Sequence, residues 1–361
     1  VKELLAAIKA RLTKLAPRIG FPLFYVACLI LFASWTFPYE RLKERIVVSF
    51  NAGQRASGSS QELAIDQITS SWITGVKMRG IKLTSPPPEA DKPPSEMTID
   101  EATARISLLG MLVGNRDITF DVNAFGGSIS GSFDDHGKDR DIDVTFDSVD
   151  VGKITVLRDA LGLPMEGTLV GNVKLNMPEP KAAPEGKALA PEAKASKAAG
   201  SVSLDVTSLA IGDGKAKIKG ALALPRLLVG TLSLAGEAKD GVLLVKKLAA
   251  GGKDVELQGD GRVTLRDVLN ESLVDMSVRF KINDAYRTKN DVTKSLFGAP
   301  GSNAPALFEL ADPKVKQSKR PDGFYAWHVR GQLGRPDFAP AGGAMPLPTF
   351  GSPALSLPSL G

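Results

Sequence analysis

From residue 62 onward the dominant spacing of apolar side chains is two, and this period constrains the fold more than any other feature. Ile142, Val144 and Phe146 alternate with Asp141, Asp143 and Thr145, and Val202, Leu204 and Val206 alternate with Ser203 and Asp205. Ala216, Ile218, Leu222 and Leu224 share one parity, and Val255, Leu257, Val263 and Leu265 share another. Met276, Val278, Phe280 and Ile282 follow, then Tyr325, Trp327, Val329 and Leu333. Successive side chains of a strand point to opposite faces, so each run puts one face in a core and the other in water. Between the runs stand Gly126 with Gly127, Asp213 with Gly214, Asp240 with Gly241, Gly251 with Gly252, and Asp322 with Gly323. These pairs supply the positive φ that tight hairpins need. The expected fold class is mainly β. Helical signal beyond residue 54 is confined to residues 108–114, 154–163 and 291–297, read as caps or crossovers on a sheet.

One segment has no place in such a sheet. Residues 19–37, IGFPLFYVACLILFASWTF, carry no charge. As a helix they span about 28 Å, close to the hydrocarbon thickness of a bilayer. Ile19, Phe24, Leu29, Phe32, Trp35 and Phe37 are the expected membrane-span residues, with Trp35 and Tyr39 at the far interface, where amphipathic rings settle. The run is longer than the roughly 7–15-residue apolar region of a cleaved signal peptide. No A-x-A-like site precedes Tyr39 either. An uncleaved single-pass anchor is therefore expected. Lys9, Arg11, Lys14 and Arg18, with Lys2, precede the run against Glu3 alone. These topogenic basic residues place the N-terminus in the cytoplasm. The expected localisation is the inner (plasma) membrane, with the bulk of the chain periplasmic. A helix continuing out of the span, from Tyr39 to about Gln54, is expected next.

The same basic stub explains the charge. The chain of 361 residues carries a net +5, and residues 1–18 supply +4 of it. The remainder is near neutral, and the aromatic residues that stand near basic ones are scattered, so nucleic acid is not an expected partner. Residues 178–199 contain four Pro, four Lys and eight Ala with no apolar periodicity, the composition of a linker. Residues 339–361 hold five Pro, four Gly and no charge, and read as a disordered tail. The expected organisation is a cytoplasmic stub (1–18), a transmembrane helix (19–37), a first periplasmic β half (38–177), the linker (178–199), a second periplasmic β half (200–338) and the tail (339–361). Residues 120–133 (FDVNAFGGSISGSF) and 245–265 (VKKLAAGGKDVELQGDGRVTL) share a strand, a GG pair and a second strand with glycine in its middle, which suggests a duplicated unit.

Candidate chemistry is sparse. With one cysteine and two histidines, neither a disulfide framework nor a Cys-rich zinc site is available. GGSISG at residues 126–131 has strand character on both sides, whereas a phosphate-cradling loop needs a helix after it. Asp134, Asp135, His136, Asp139, Asp141 and Asp143 cluster, but their spacing misses the calcium-loop pattern, so a solvated acidic hairpin is expected. His328 sits on the polar parity of its strand. No catalytic residue, metal ligand or cofactor motif is assigned, and the chain is not expected to be an enzyme.

Several stretches resemble the type II secretion system protein N family. They are the basic stub and single span; ELAIDQITSSWITGVKMRGIKLTSP with Thr74, Gly75 and Leu83; residues 252–282 (GKDVELQGDGRVTLRDVLNESLVDMSVRFKI); and residues 322–338 (DGFYAWHVRGQLGRPDF). The order of these segments over residues 20–338 carries the resemblance. Residues 151–175 (VGKITVLRDALGLPMEGTLVGNVKL) resemble the AsmA-like proteins, whose single span precedes β repeats that form long lipid-associated grooves. The two resemblances imply an elongated AsmA-like curved β-sheet anchored in the inner membrane, and the shared GG unit suggests that it is duplicated. They also imply an accessory or structural role in exporting folded proteins, with other inner-membrane or periplasmic secretion proteins as partners. The alternative they imply is a protein that handles lipid between membranes.

Overall fold

The computed structural model describes residues 20–341, less 23, 27, 30, 33–34, 57–60, 73, 87–93, 138, 156, 159–161, 179–196, 219–221, 267–270 and 302–305. The protein is mainly β. Fourteen strands form one antiparallel sheet that does not close. In sheet order they are β1 (Glu62–Ser71), β2 (Gly75–Ser85), β3 (Ser95–Ile106), β4 (Arg116–Ala124), β5 (Gly127–Asp135), β6 (Asp139–Asp150), β7 (Met165–Pro178), β8 (Ala199–Ile211), β11 (Leu227–Lys239), β12 (Val242–Gly251), β13 (Val255–Thr264), β14 (Leu273–Ile282), β15 (Tyr325–Gln332) and β16 (Arg335–Pro340). Two short strands, β9 (Lys217–Ile218) and β10 (Leu222–Ala223), pair separately. The chain falls into two compact units. The first ends at Lys181 and takes in Gly200–Thr207, and the second holds the rest.

In the first unit, helix α1 (Tyr39–Ala56) precedes β1, and the short helix α2 (Leu108–Leu112) joins β3 to β4. Glu40 in the first turn of α1 and Arg55 in its last complement the helix dipole. Tyr39, Ile46 and Val47 form its apolar stripe and pack on Ile65, Ile68, Ile81 and Ala102. Ile65 and Ile68 are three apart, yet both are buried in this one cluster. The β1–β2 ladder skips Asp66 and Gly80, and the β3–β4 register shifts between Ile99 and Glu101. Gly80 has φ 61°, and a Cβ there would land on the Asp66 carboxylate. The interruption lets apolar residues on either side of it face the same way. The free edge of β1 is met by Asn51 of α1. Leu63 N–H donates to Asn51 Oδ1 at 2.8 Å, and Asn51 Nδ2 donates to Leu63 C=O at 3.3 Å. A neighbouring strand would make the same pair of bonds.

Beyond β3 the alternation is regular. Phe120 and Val122 of β4, Ile129 and Phe133 of β5, and Ile142, Val144 and Phe146 of β6 line up across the registers on one face, and all are half-buried. The turn between β4 and β5 is Phe125 with Gly126, both at positive φ (56° and 75°), and Gly127 already begins β5. The acidic hairpin is taken up by β7: Asn176 donates to Asp141 at 2.7 Å, and Asn172 and Lys174 reach Asp143 at 2.7 and 3.0 Å. The bonds from Lys174 and Asn172 hold the Asp143 carboxyl below its ordinary range.

In the second unit, β11 and β12 turn at Asp240 and Gly241, both at positive φ. Strands β12 to β15 carry one apolar face, with Leu248, Leu257, Val278, Phe280 and Trp327, and one polar face, with Gln258, Ser277, Arg279 and His328. Residues 216–224, read as an alternating strand, contain among the described residues only the two-residue pair β9 and β10. Strand β16 includes Ala339 and Pro340, assigned above to the tail; residues 342–361 lie outside the described residues.

Of the expected span residues, Phe24, Leu29, Phe32 and Trp35 are helical, and all four are well exposed; Phe37 is exposed and follows the helical residues. Ile19 and the basic Lys9, Arg11, Lys14 and Arg18 lie outside the described residues. Among the described residues no helix is long and apolar enough to cross a membrane.

Candidate functional site

The connection between β14 and β15 folds into four short helices: α3 (Asp284–Arg287), α4 (Asp291–Phe297), α5 (Leu307–Ala311) and α6 (Pro313–Ser318). Local chemistry sets their ends. Asn290 and Thr293 form a reciprocal capping box at the start of α4, and Gly298 follows its end with φ 71°. Asp312 accepts from Lys314 N at 2.9 Å, with Pro313 in the first turn of α6. Polar contacts hold this group and the turns beneath it together. Asn283 Nδ2 donates to the Gly252 and Lys253 carbonyls at 3.3 and 3.1 Å. Tyr286 is fully buried and donates to Pro225 C=O at 2.5 Å. Asp254 is buried and accepts from Leu228 N–H at 2.8 Å.

These helices stand over part of the apolar face and leave space beneath. The cavity measures about 270 Å³. Its sheet wall is Val255, Leu257, Phe280 and Ile282, and its helix wall is Leu296, Phe297 and Phe308. Leu209, Leu224, Leu227 and Val229 close one side. Every lining residue is aliphatic or aromatic. A run of ring contacts braces the walls: Tyr286 to Phe297 at 5.9 Å, Phe297 to Phe308 at 5.5 Å, Phe308 to Tyr325 at 5.7 Å and Tyr325 to Phe280 at 5.4 Å.

The polar atoms of these walls are turned away from the cavity and paired. Glu309, itself buried, accepts from Lys319 Nζ at 2.6 Å and from the Tyr325 hydroxyl at 2.8 Å. Burial by itself would raise the Glu309 carboxyl, but hydrogen bonds from Lys319 and Tyr325 outweigh it and hold the group below its ordinary value. Burial, and then the adjoining Glu309, push the Tyr325 phenol well above its ordinary range; burial and Asp254 do the same to Tyr286.

Such a cavity can do one thing chemically. The space is half open, and its walls offer water no hydrogen-bond partner, so it favours an apolar guest. The volume lies near the lower end of ligand pockets and suits one hydrocarbon chain. The sequence reading identified the parity of Val255, Leu257 and Val263, which do face one way. It missed α3, α5 and α6, although Asp312 before Pro313 is a legible helix start. His136 lies 3.9 Å from both Asp117 and Asp141, and no group of three or more His, Cys, Asp or Glu that could hold a metal occurs among the described residues. His328 is half-buried on the polar face, 3.8 Å from Asp275. No family model, curated protein or solved structure matches the chain.

Proposed function

We propose that this protein is an inner-membrane-anchored, periplasmic component of the type II (general) secretion pathway, acting by contact as an accessory or structural part in the export of folded proteins. The anchor is the uncharged run at residues 19–37, and the partners are other inner-membrane or periplasmic proteins of the apparatus. The observation that supports this reading is the unclosed fourteen-stranded antiparallel sheet, ordered along the sequence as the resembling segments are. An unclosed sheet leaves the face area outside its packed helices available to partners. A deletion strain tests it: folded exoproteins are expected to accumulate in the periplasm with outer-membrane permeability little changed. Normal secretion in that strain overturns the reading.

A second reading, lipid handling by an AsmA-like protein, is favoured by the apolar cavity beside Leu257. Under it secretion persists in the deletion strain, the envelope becomes sensitive to detergents, and a photo-crosslinker at Leu257 captures lipid. Capture of protein alone at that position overturns it.

A further inference from the structure

The polar face of β12 to β15, opposite the apolar cavity, holds a second concavity of about 340 Å³. The register places its walls. Gln258 pairs with Arg279, Asp260 with Ser277, and Ser277 with His328, so these side chains stand together on one face. A register shift in β12 between Val245 and Leu248 sets Lys246 and Lys247 at the same level. Arg320, from the loop after α6, completes the rim.

The charge in this groove is unbalanced. Lys246 is held by Glu237 at 2.5 Å. Arg279 directs Nε and Nη2 to the neutral Gln258 Oε1, at 3.1 and 2.5 Å, and its guanidinium lies 5.0 Å from the centre of the Phe324 ring. Its charge is therefore positioned but not neutralised. Among the described residues no carboxylate lies within ion-pair distance of Arg279, Arg320 or Lys247. Asp260 is the one acidic side chain in the lining. Ser277 and His328 add hydrogen-bonding groups to the same wall. Two guanidinium groups, an ammonium and a hydroxyl around one concavity form a donor set that complements tetrahedral oxyanions, and arginine binds phosphate in a fixed fork.

We propose that this groove binds a phosphoryl group. The inference is independent of the export role, since it rests on the face away from the cavity and on no partner protein. The phosphoryl group belongs either to a free phosphate or phosphate ester, or to a phospholipid headgroup.

The test uses the full chain in an uncharged detergent at low ionic strength, titrated with inorganic phosphate by calorimetry. Saturable binding at one site is expected. Arg320→Gln and Lys247→Gln, both at the rim, are expected to weaken it about tenfold or more, and Asp260→Asn to tighten it. Arg335→Gln on the exposed strand β16 serves as a charge control and leaves binding unchanged. Unaltered thermal midpoints establish that the variants are folded. Vesicles of phosphatidylglycerol that compete with inorganic phosphate, where phosphatidylcholine does not compete because its headgroup carries no net charge, support the site with lipid as the source. Failure of both to compete, with binding intact, supports it with a free phosphate as the source. The proposal is overturned if no saturable binding occurs, or if Arg320→Gln and Asp260→Asn bind as the parent does.

Discussion

Leu257 and Glu256 are adjacent in sequence and opposite in consequence. Leu257 lines the apolar cavity, while Glu256 lies on the polar face and accepts from Gln258 Nε2 at 2.6 Å. A carboxylate at Leu257 meets no donor among apolar walls, so Leu257→Asp is expected to destabilise the protein by about 2–3 kcal/mol. Glu256→Lys should stay within about 0.5 kcal/mol. Chemical denaturation of the two variants checks the pair, and equal effects would refute the assigned parity. Glu309 gives a pH-dependent test. A carboxyl whose pKa is lowered on folding contributes stability that is complete above its unfolded value and lost as pH falls through the folded one. The parent should therefore lose this contribution as pH falls below 4.5 and through the lowered value. Glu309→Gln, which lacks it, should be less stable than the parent by about 1–3 kcal/mol at pH 7 and should approach it in acid. Thermal midpoints of both proteins across that range measure the convergence.

Among the elements, the two sheet edges are protected by different means. At β1 the protection is the Asn51 amide on Leu63. At β16 it is proline. Ala341 N–H donates to Ala326 C=O at 2.8 Å, and the register then turns Ala339, Asp337 and Arg335 toward β15. Pro336, Phe338 and Pro340 are left facing outward, and only Phe338 offers an N–H there. Two missing donors in three make this edge a poor template for another strand. Pro336→Val together with Pro340→Val restores both donors and should produce concentration-dependent association, read by sedimentation in detergent. A double variant that stays as dispersed as the parent would show that this edge needs no such protection. The interruption at Asp66 and Gly80 shows what a strict period of two cannot reveal. Ile65 and Ile68 have opposite parity in sequence, and only the skipped ladder position brings both under α1.

For the whole molecule, the proposed anchor makes a topological prediction. Protease added to spheroplasts should digest the chain beyond about Tyr39 and leave an N-terminal fragment in the membrane. A mature N-terminus near residues 34–40 would instead mark a cleaved signal peptide. Antiparallel neighbours are, for most of the sheet, also neighbours in sequence, because short turns connect them. Longer connections join β7 to β8, β8 to β11 with β9 and β10 between them, and β14 to β15 through helices α3 to α6. The last two flank the apolar cavity. The candidate site is thus built where the chain departs from its simple hairpin order.

The β class, the strands β6, β8, β13, β14 and β15, the hairpin turns at Gly126 and Gly241, helix α4 and the parity of β13 are legible in the sequence. Each of these is set by neighbours within a few residues, through side-chain alternation, positive-φ glycine and capping chemistry. The tertiary structure alone decided what covers each apolar face. Leu257 and Phe280 have the alternation of core residues whether a face is closed, open or half-roofed. Only the packing of Leu296, Phe297 and Phe308 across from them leaves a cavity there. The basic groove was equally illegible, since Lys247, Arg279 and Arg320 are scattered over three elements, and only strand register and a loop bring their charges to one place. Local propensity acts along the chain, whereas cavities and charge clusters are sums over distant segments that no window of sequence contains.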